Sequence, residues 1–256
     1  GRKLKAVHPD KYMGIAETSA GWTITAMLAQ QGSDLVSSDD QPQIDTPEML
    51  RAVTVLQNMV AEGIITTCPD GQPDTEGGKG FLDQGNVAGV IMPQWFMSRY
   101  LDEIPSMNGK VAIAPVPVFE EGMPRSLGLG GTGTVVTLTA SDQDLASAWL
   151  AYAKLSEEGN RMIWEDLGFD PCNTALWTET AMTHNPDNAY NQYFLNNVFD
   201  VLNEVKDEIV MIRSSSISPT INNYVTTVML NELFEDMLDP AEVLEDAQYN
   251  IESQIF

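Results

Sequence analysis

Apolar positions fall in this chain as short uncharged runs separated by longer stretches of helical period. Val87 to Met92 carries no charge and predicts a buried strand, closed by Pro93 and followed by Gln94 and Trp95. Lys110 to Pro117, Val135 to Leu138 and Ile209 to Ile212 predict further strands, and Tyr12 to Ile15 a shorter one. Between them, Met49, Val53, Leu56 and Val60 recur at helical spacing behind Thr46-Pro47-Glu48, which reads as cap, first helical position and an acid at the positive helix end. Gly63 stops that helix. A helix from Trp22 ends near Gly32. Ser141 is expected to cap a helix whose buried face is Leu145, Ala148, Trp149 and Tyr152. Ser156 caps the next, which Gly168 closes. Helices are also predicted around 190–204, from Asn222 to Leu238, and beyond Asp239-Pro240 with Val243, Ala247 and Ile251 inward. Strands separated by pairs of helices predict an α/β fold.

The chain has 256 residues, 43% of them hydrophobic, enough for one large core or two modest ones. Its 37 Asp and Glu against 13 Lys and Arg give a net charge of −24. That acidity argues against nucleic acid and against an anionic membrane surface as partners, because both need a basic face. The same charge gives a solvated, self-repelling surface. No apolar run is long enough to span a bilayer. Cys68 and Cys172 either bridge or stay free.

Catalytic chemistry finds little support. His8 and His184 are the only histidines, neither at metal-ligand spacing with a cysteine, and no cofactor or metal is expected. The glycines from Gly128 to Gly133 precede a strand instead of opening a helix, so a dinucleotide loop is not expected. They make either a flexible turn or a place of close backbone approach to a ligand. Aromatic and amide side chains at element edges stand out: Trp22, Gln94, Trp95, Trp177, Asn222, Asn223 and Tyr224. Sugars present C–H faces to aromatic rings and hydroxyls to amides, so this set suits a carbohydrate. Each Trp is either such a platform or a core plug; Trp149 and Trp164 read as core or helix-face residues. Arg213, at a strand end, is suited to pairing with a carboxylate or phosphate instead.

The order of motifs resembles the extracellular solute-binding proteins of ABC importers, the family that includes maltose- and other sugar-binding proteins. The matching pieces are Tyr12-Met-Gly-Ile with Trp22 and Gly32, Thr46-Pro-Glu with Gly63, Phe81 to Trp95, Ala114-Pro-Val-Pro117, Gly130-Gly131, Ala146 to Tyr152, Leu167 to Pro171, and Pro240 to Ile251. Pro93-Gln94-Trp95 departs from the family's Gly-x-Trp, and Ser214 to Ser216 stand where prolines are frequent. The resemblance implies a type II periplasmic-binding-protein-like α/β fold of two lobes with hinge crossings, with the N-terminal lobe largely missing from a chain truncated at its N-terminus. On that mapping residues 1–118 and 185–256 belong to the C-terminal lobe and 119–184 return to the N-terminal lobe. It further implies that Trp95 stacks on a sugar, that Gly130 and Gly131 offer backbone N–H groups, and that Asn222 and Tyr224 lie near the cleft. The expected protein is a non-catalytic, extracytoplasmic monomer, lipid-anchored at full length, that delivers its solute to ABC permease subunits. A carbohydrate-active enzyme, or a sensory or adhesion module of the same fold, is the alternative.

Overall fold

The computed structural model describes residues 1–129, 131 and 133–255. In chain order the strands are β1 (Gly14–Ala16), β2 (Ile65–Thr67), β3 (Ser126–Gly128) and β4 (Ile209–Met211). The helices are α1 (Arg2–Val7), α2 (Trp22–Gln30), α3 (Pro47–Ala61), α4 (Glu76–Asp83), α5 (Met97–Glu103), α6 (Gln143–Leu155), α7 (Glu157–Leu167), α8 (Thr180–Thr183), α9 (Ala189–Tyr193), α10 (Val198–Val205), α11 (Ser218–Tyr224), α12 (Leu230–Phe234) and α13 (Pro240–Ile255). β1 pairs in parallel with β2, and β3 in parallel with β4. Parallel pairing needs a long crossover, supplied here by α2 and α3 in the first case and by α6 to α10 in the second. The class is therefore α/β, as the sequence predicts.

Two compact units form, each from separated pieces of chain. The first comprises Gly1–Met92, Val116–Leu129 and Glu208–Phe256; the second comprises Pro93–Pro115 and Gly130–Asp207. Residues 93–115 and 185–207 pack with α7 and the 174–178 turn in the second unit.

The first unit is built on α3, which starts as its sequence dictates. Thr46 accepts the Met49 N–H at 3.2 Å, Pro47 opens the helix, and Met49, Ala52, Val53 and Leu56 are buried. They meet Ile24 and Leu28 of α2, Ile65 of β2, Met229, Leu230 and Leu233, and Leu244 and Ile251 of α13 in one core. Full burial of each such aliphatic side chain is worth roughly 1.5–3 kcal/mol. Between α11 and α12 the helix widens into a π segment, Val225–Met229, where Val225 and Met229 face the core. The second unit packs Trp164, Leu176, Trp177, Tyr190, Tyr193 and Phe199 together, with the Trp164 and Phe199 rings edge-on at 4.7 Å. Ser156 caps α7 through the Gly159 N–H at 3.0 Å, and Gly168 ends it at φ 68°.

Several expectations fail. Val87 bridges Tyr12, whose carbonyl accepts the Ala88 N–H at 2.9 Å, and residues 88–92 join no ladder and are half-buried or exposed. Residues 111–117 and 135–137 belong to no strand. The Val111 carbonyl accepts the Leu195 N–H at 2.8 Å, the Val116 N–H donates to the Arg125 carbonyl at 3.0 Å, and Ile113 pairs with the Asn196 side-chain amide, contacts that do not repeat as a ladder. The helix expected at 190–204 is split into α9 and α10 by Phe194 to Asn197. Asp142, not Ser141, caps α6, accepting the Leu145 N–H at 2.9 Å. The face of α6 expected to be buried is open: Leu145 is 66%, Trp149 68% and Tyr152 54% exposed. Both cysteines are free, Cys68 buried and Cys172 exposed.

Candidate functional site

In the first unit the parallel pairing of β1 and β2 brings two strand ends to one edge, the place where open α/β sheets offer their ligand crevice. Glu17 leaves β1 there and Cys68 leaves β2, whose N–H donates to the Ala16 carbonyl at 3.0 Å. The loop from Glu17 to Gly21 is pinned twice from below: the Thr18 and Ser19 N–H groups both donate to the Gly71 carbonyl, at 2.8 and 3.1 Å. Gly71 has φ 82°, and a Cβ there would lie 2.5 Å from the Ser19 hydroxyl, so only glycine fits this approach. From the other side Asn231 donates its amide to the Thr18 carbonyl at 3.1 Å. The loop then enters α2 at Trp22.

Glu17 is the chemically distinctive group of this edge. It is 4% exposed, and its Oε2 accepts the Thr23 N–H at 3.0 Å, at the positive end of α2. Its Oε1 is buried and has no partner among the described residues. Burial pushes the Glu17 pKa up to about 8, against the opposing pull of hydrogen bonds from Thr23 and Trp22. The carboxyl is therefore neutral at pH 7. Burial, helped by Glu17 and Asp70, pushes the neighbouring Cys68 thiol up to about 12.

The residues singled out in the sequence divide between the units. In the first unit, Trp22 begins α2 half-buried, directly before Thr23, whose N–H binds the Glu17 carboxyl. Asn222 is exposed on α11, and Tyr224 is half-buried against the core, its hydroxyl pKa raised by burial and then by Glu232. Arg213 is exposed just beyond β4, its backbone N–H bonded to the Asp34 carboxylate. In the second unit, Gln94 and Trp95 form a 3-10 turn with Phe96. Trp95 is half-buried, edge-on to Phe96 at 5.9 Å and under the Arg99 guanidinium at 5.6 Å. Both amide atoms of Gln94 are buried without a partner among the described residues. Trp177 is 4% exposed and donates its indole N–H to the Pro171 carbonyl at 2.9 Å, the position of a core plug and not of a platform. Gly131 is exposed at φ 120°, and Gly130 lies outside the described residues.

The sequence reading missed Glu17 and Asn231. An acid directly behind the apolar triplet Gly14 to Ala16 and just ahead of a helix start was the available signal for Glu17, but 37 acids dilute it. Asn231 carries no local signal at all, because its partner is 213 residues away.

Comparison with known proteins finds relatives in sequence and in fold. The chain is 36% identical over 257 residues to the arabinooligosaccharide-binding protein of Halalkalibacterium halodurans, covering 100% of this chain and 55% of that protein. It is 37% identical over 211 residues to the arabinooligosaccharide-binding protein of Bacillus subtilis, covering 82% of this chain and 48% of that protein. The chain thus spans about half the length of these relatives. In fold it is similar to the sugar-binding protein MalE of Xanthomonas citri, with a TM-score of 0.72 at 13% identity, over 97% of this chain and 59% of that one. The pattern of bacterial extracellular solute-binding proteins matches residues 1–160. With that match over more than half its length, the chain belongs to the bacterial extracellular solute-binding protein family.

Proposed function

We propose that the protein containing this chain captures an arabinose-containing oligosaccharide outside the cytoplasm and delivers it to the permease of an ABC importer. The observation that carries this reading is the 36% identity running along the whole chain to an arabinooligosaccharide-binding protein. The chemistry of each unit taken by itself agrees with it: Trp22, Asn222 and a buried neutral carboxyl in the first, and Trp95 and Gln94 in the second, are groups that suit hydroxyl-rich, uncharged ligands. In this reading Trp95 stacks on the sugar and Gln94 meets its hydroxyls. No bond of the ligand is made or broken. The family's extracellular setting supports the location, and the resemblance extends the reading to a lipid-anchored monomer.

Calorimetric titration of the full-length protein with arabinotriose and maltotriose tests the proposal. Saturable binding of arabinotriose, much tighter than of maltotriose, is expected. Binding of maltotriose alone would overturn the choice of sugar, and binding of neither would overturn the function.

A further inference from the structure

We propose that Glu17 is a ligand-binding residue whose free Oε1 donates a hydrogen bond to an oxygen of the captured saccharide, while its Oε2 stays fixed on the first turn of α2. This assignment rests on the sugar-binding reading above and adds a specific residue and bond to it.

Three separate observations converge on the carboxyl. First, it occupies the edge at which β1 and β2 both end, with α2 beginning directly above it. Second, the side chain is 4% exposed yet only one of its two oxygens is used: Oε2 takes the Thr23 N–H at 3.0 Å and Oε1 takes nothing among the described residues. A buried polar group left without a partner costs about 1–3 kcal/mol. An apolar residue of similar size would avoid that cost, so the group's retention points to a partner that arrives from outside. Third, the segment bearing it is held in place by bonds unrelated to its own charge: Thr18 and Ser19 to the Gly71 carbonyl, and Asn231 to the Thr18 carbonyl. A carboxyl so fixed is preorganised for a directional bond.

Polarity follows from the surroundings. The titratable group facing Glu17 from the end of β2 is Cys68, a neutral thiol, itself acted on by Asp70; α2 contributes the backbone of Trp22 and Thr23 and the Thr23 hydroxyl, and α12 the Asn231 amide. Among the described residues no cation acts on Glu17 to favour the carboxylate, and the proton is held to about pH 8. With Oε2 accepting, the proton resides on Oε1, so the unused group at neutral pH is an O–H donor. Its natural partner is a hydroxyl or ring oxygen of a neutral sugar. An ammonium ligand would instead need the ionised form.

The test is arabinotriose affinity of the full-length wild type, Glu17→Gln and Glu17→Ala proteins, measured by calorimetry from pH 6 to 9.5. Wild-type affinity is expected to fall above pH 8 as the donor is lost, by about tenfold in all. In Glu17→Gln the amide donates at every pH, so the profile becomes flat. Glu17→Ala is expected to bind about tenfold more weakly at pH 6, the loss of one neutral hydrogen bond. Repeating the titrations at pH 8 in two buffers of different ionisation enthalpy should give proton uptake in the wild type and none in Glu17→Gln. Parallel profiles and equal proton uptake in wild type and Glu17→Gln would overturn the role of Glu17 while leaving the sugar-binding function intact. Affinity that rises through pH 8 would also overturn it, by making the carboxylate the binding form. Failure of the wild type to bind any saccharide would overturn both.

Discussion

Asn231 reaches across the first unit to hold Thr18: its side-chain amide donates to the Thr18 carbonyl at 3.1 Å, and α12 is thereby fastened to the loop that follows β1. The π segment Val225–Met229 lies immediately before it. One residue more per turn changes which side chains of the following helix face the core, and here Leu230 and Leu233 go inward while Asn231 is left beside the loop.

Removing that tether should be felt locally before it is felt globally. In Asn231→Ala the Thr18 carbonyl loses its donor, and stability should drop by about 1 kcal/mol in urea unfolding. Amide exchange of Thr18 and Ser19 should accelerate while that of the α3 core amides follows only the global change. Unchanged exchange at both loop positions would remove Asn231 from any role at this edge.

The pH dependence of stability carries the signature of Glu17. Its proton is held to about pH 8 in the fold against an ordinary value of 4.5. Between those values the folded chain binds more protons than the unfolded chain, so this group's contribution is fully present below pH 4.5 and is lost as pH rises through 8. The loss is on the order of a few kcal/mol. Glu17→Gln should therefore be no more stable than wild type at pH 5 and clearly more stable at pH 9, read as a difference between two urea titrations. Parallel stability curves would place the carboxyl in a wetter setting than its burial indicates.

Two tryptophans should fail in opposite ways. Trp177→Ala empties a buried site and unpairs the Pro171 carbonyl, so it should cost about 3–5 kcal/mol of stability. Trp95→Ala removes a half-buried ring that touches Phe96 edge-on and lies by Arg99, and should cost the full-length protein about tenfold in arabinotriose affinity with a smaller change in stability. Wild-type affinity in Trp95→Ala would sink its stacking role.

Gly168 gives a backbone test free of any ligand. It ends α7 at φ 68°, and a Cβ there would stand 2.2 Å from the Tyr190 ring. Left-handed backbone costs a side chain roughly 1–2 kcal/mol, and moving Tyr190 disturbs the second core as well. Gly168→Ala should lower the thermal midpoint by several degrees; a neutral result would mean that α9 can shift to make room.

Local chemistry was what the sequence displayed clearly. Thr46 with Pro47, Ser156 with Gly168, and the Val243, Ala247 and Ile251 stripe are read from a few neighbouring residues, and each appears as expected. The strands were less legible because pairing partners lie far along the chain: Gly14 meets Ile65, and Ser126 meets Ile209. The same limit hid the edge around Glu17, where burial of an acid depends on Thr23, Gly71 and Asn231 arriving from separate segments. Trp177 shows the converse error: an aromatic in an irregular stretch looks available until its indole N–H is found to be bonded inside a core.

The interleaving of the two units also fixes a schedule for synthesis. Ile24, Leu28, Met49 and Val53 leave the ribosome well before the residues that complete their core, Met229, Leu233, Leu244 and Ile251. At ~5–20 residues per second the wait is on the order of tens of seconds, during which α2 and α3 show their apolar faces to the cytosol and to one another's neighbours on the polysome. The second unit, already translated by then, can condense first. A nascent chain of this topology gains from shielding of α2 and α3 until α13 is made, and a circular permutation joining α13 to β1 should shorten that exposure.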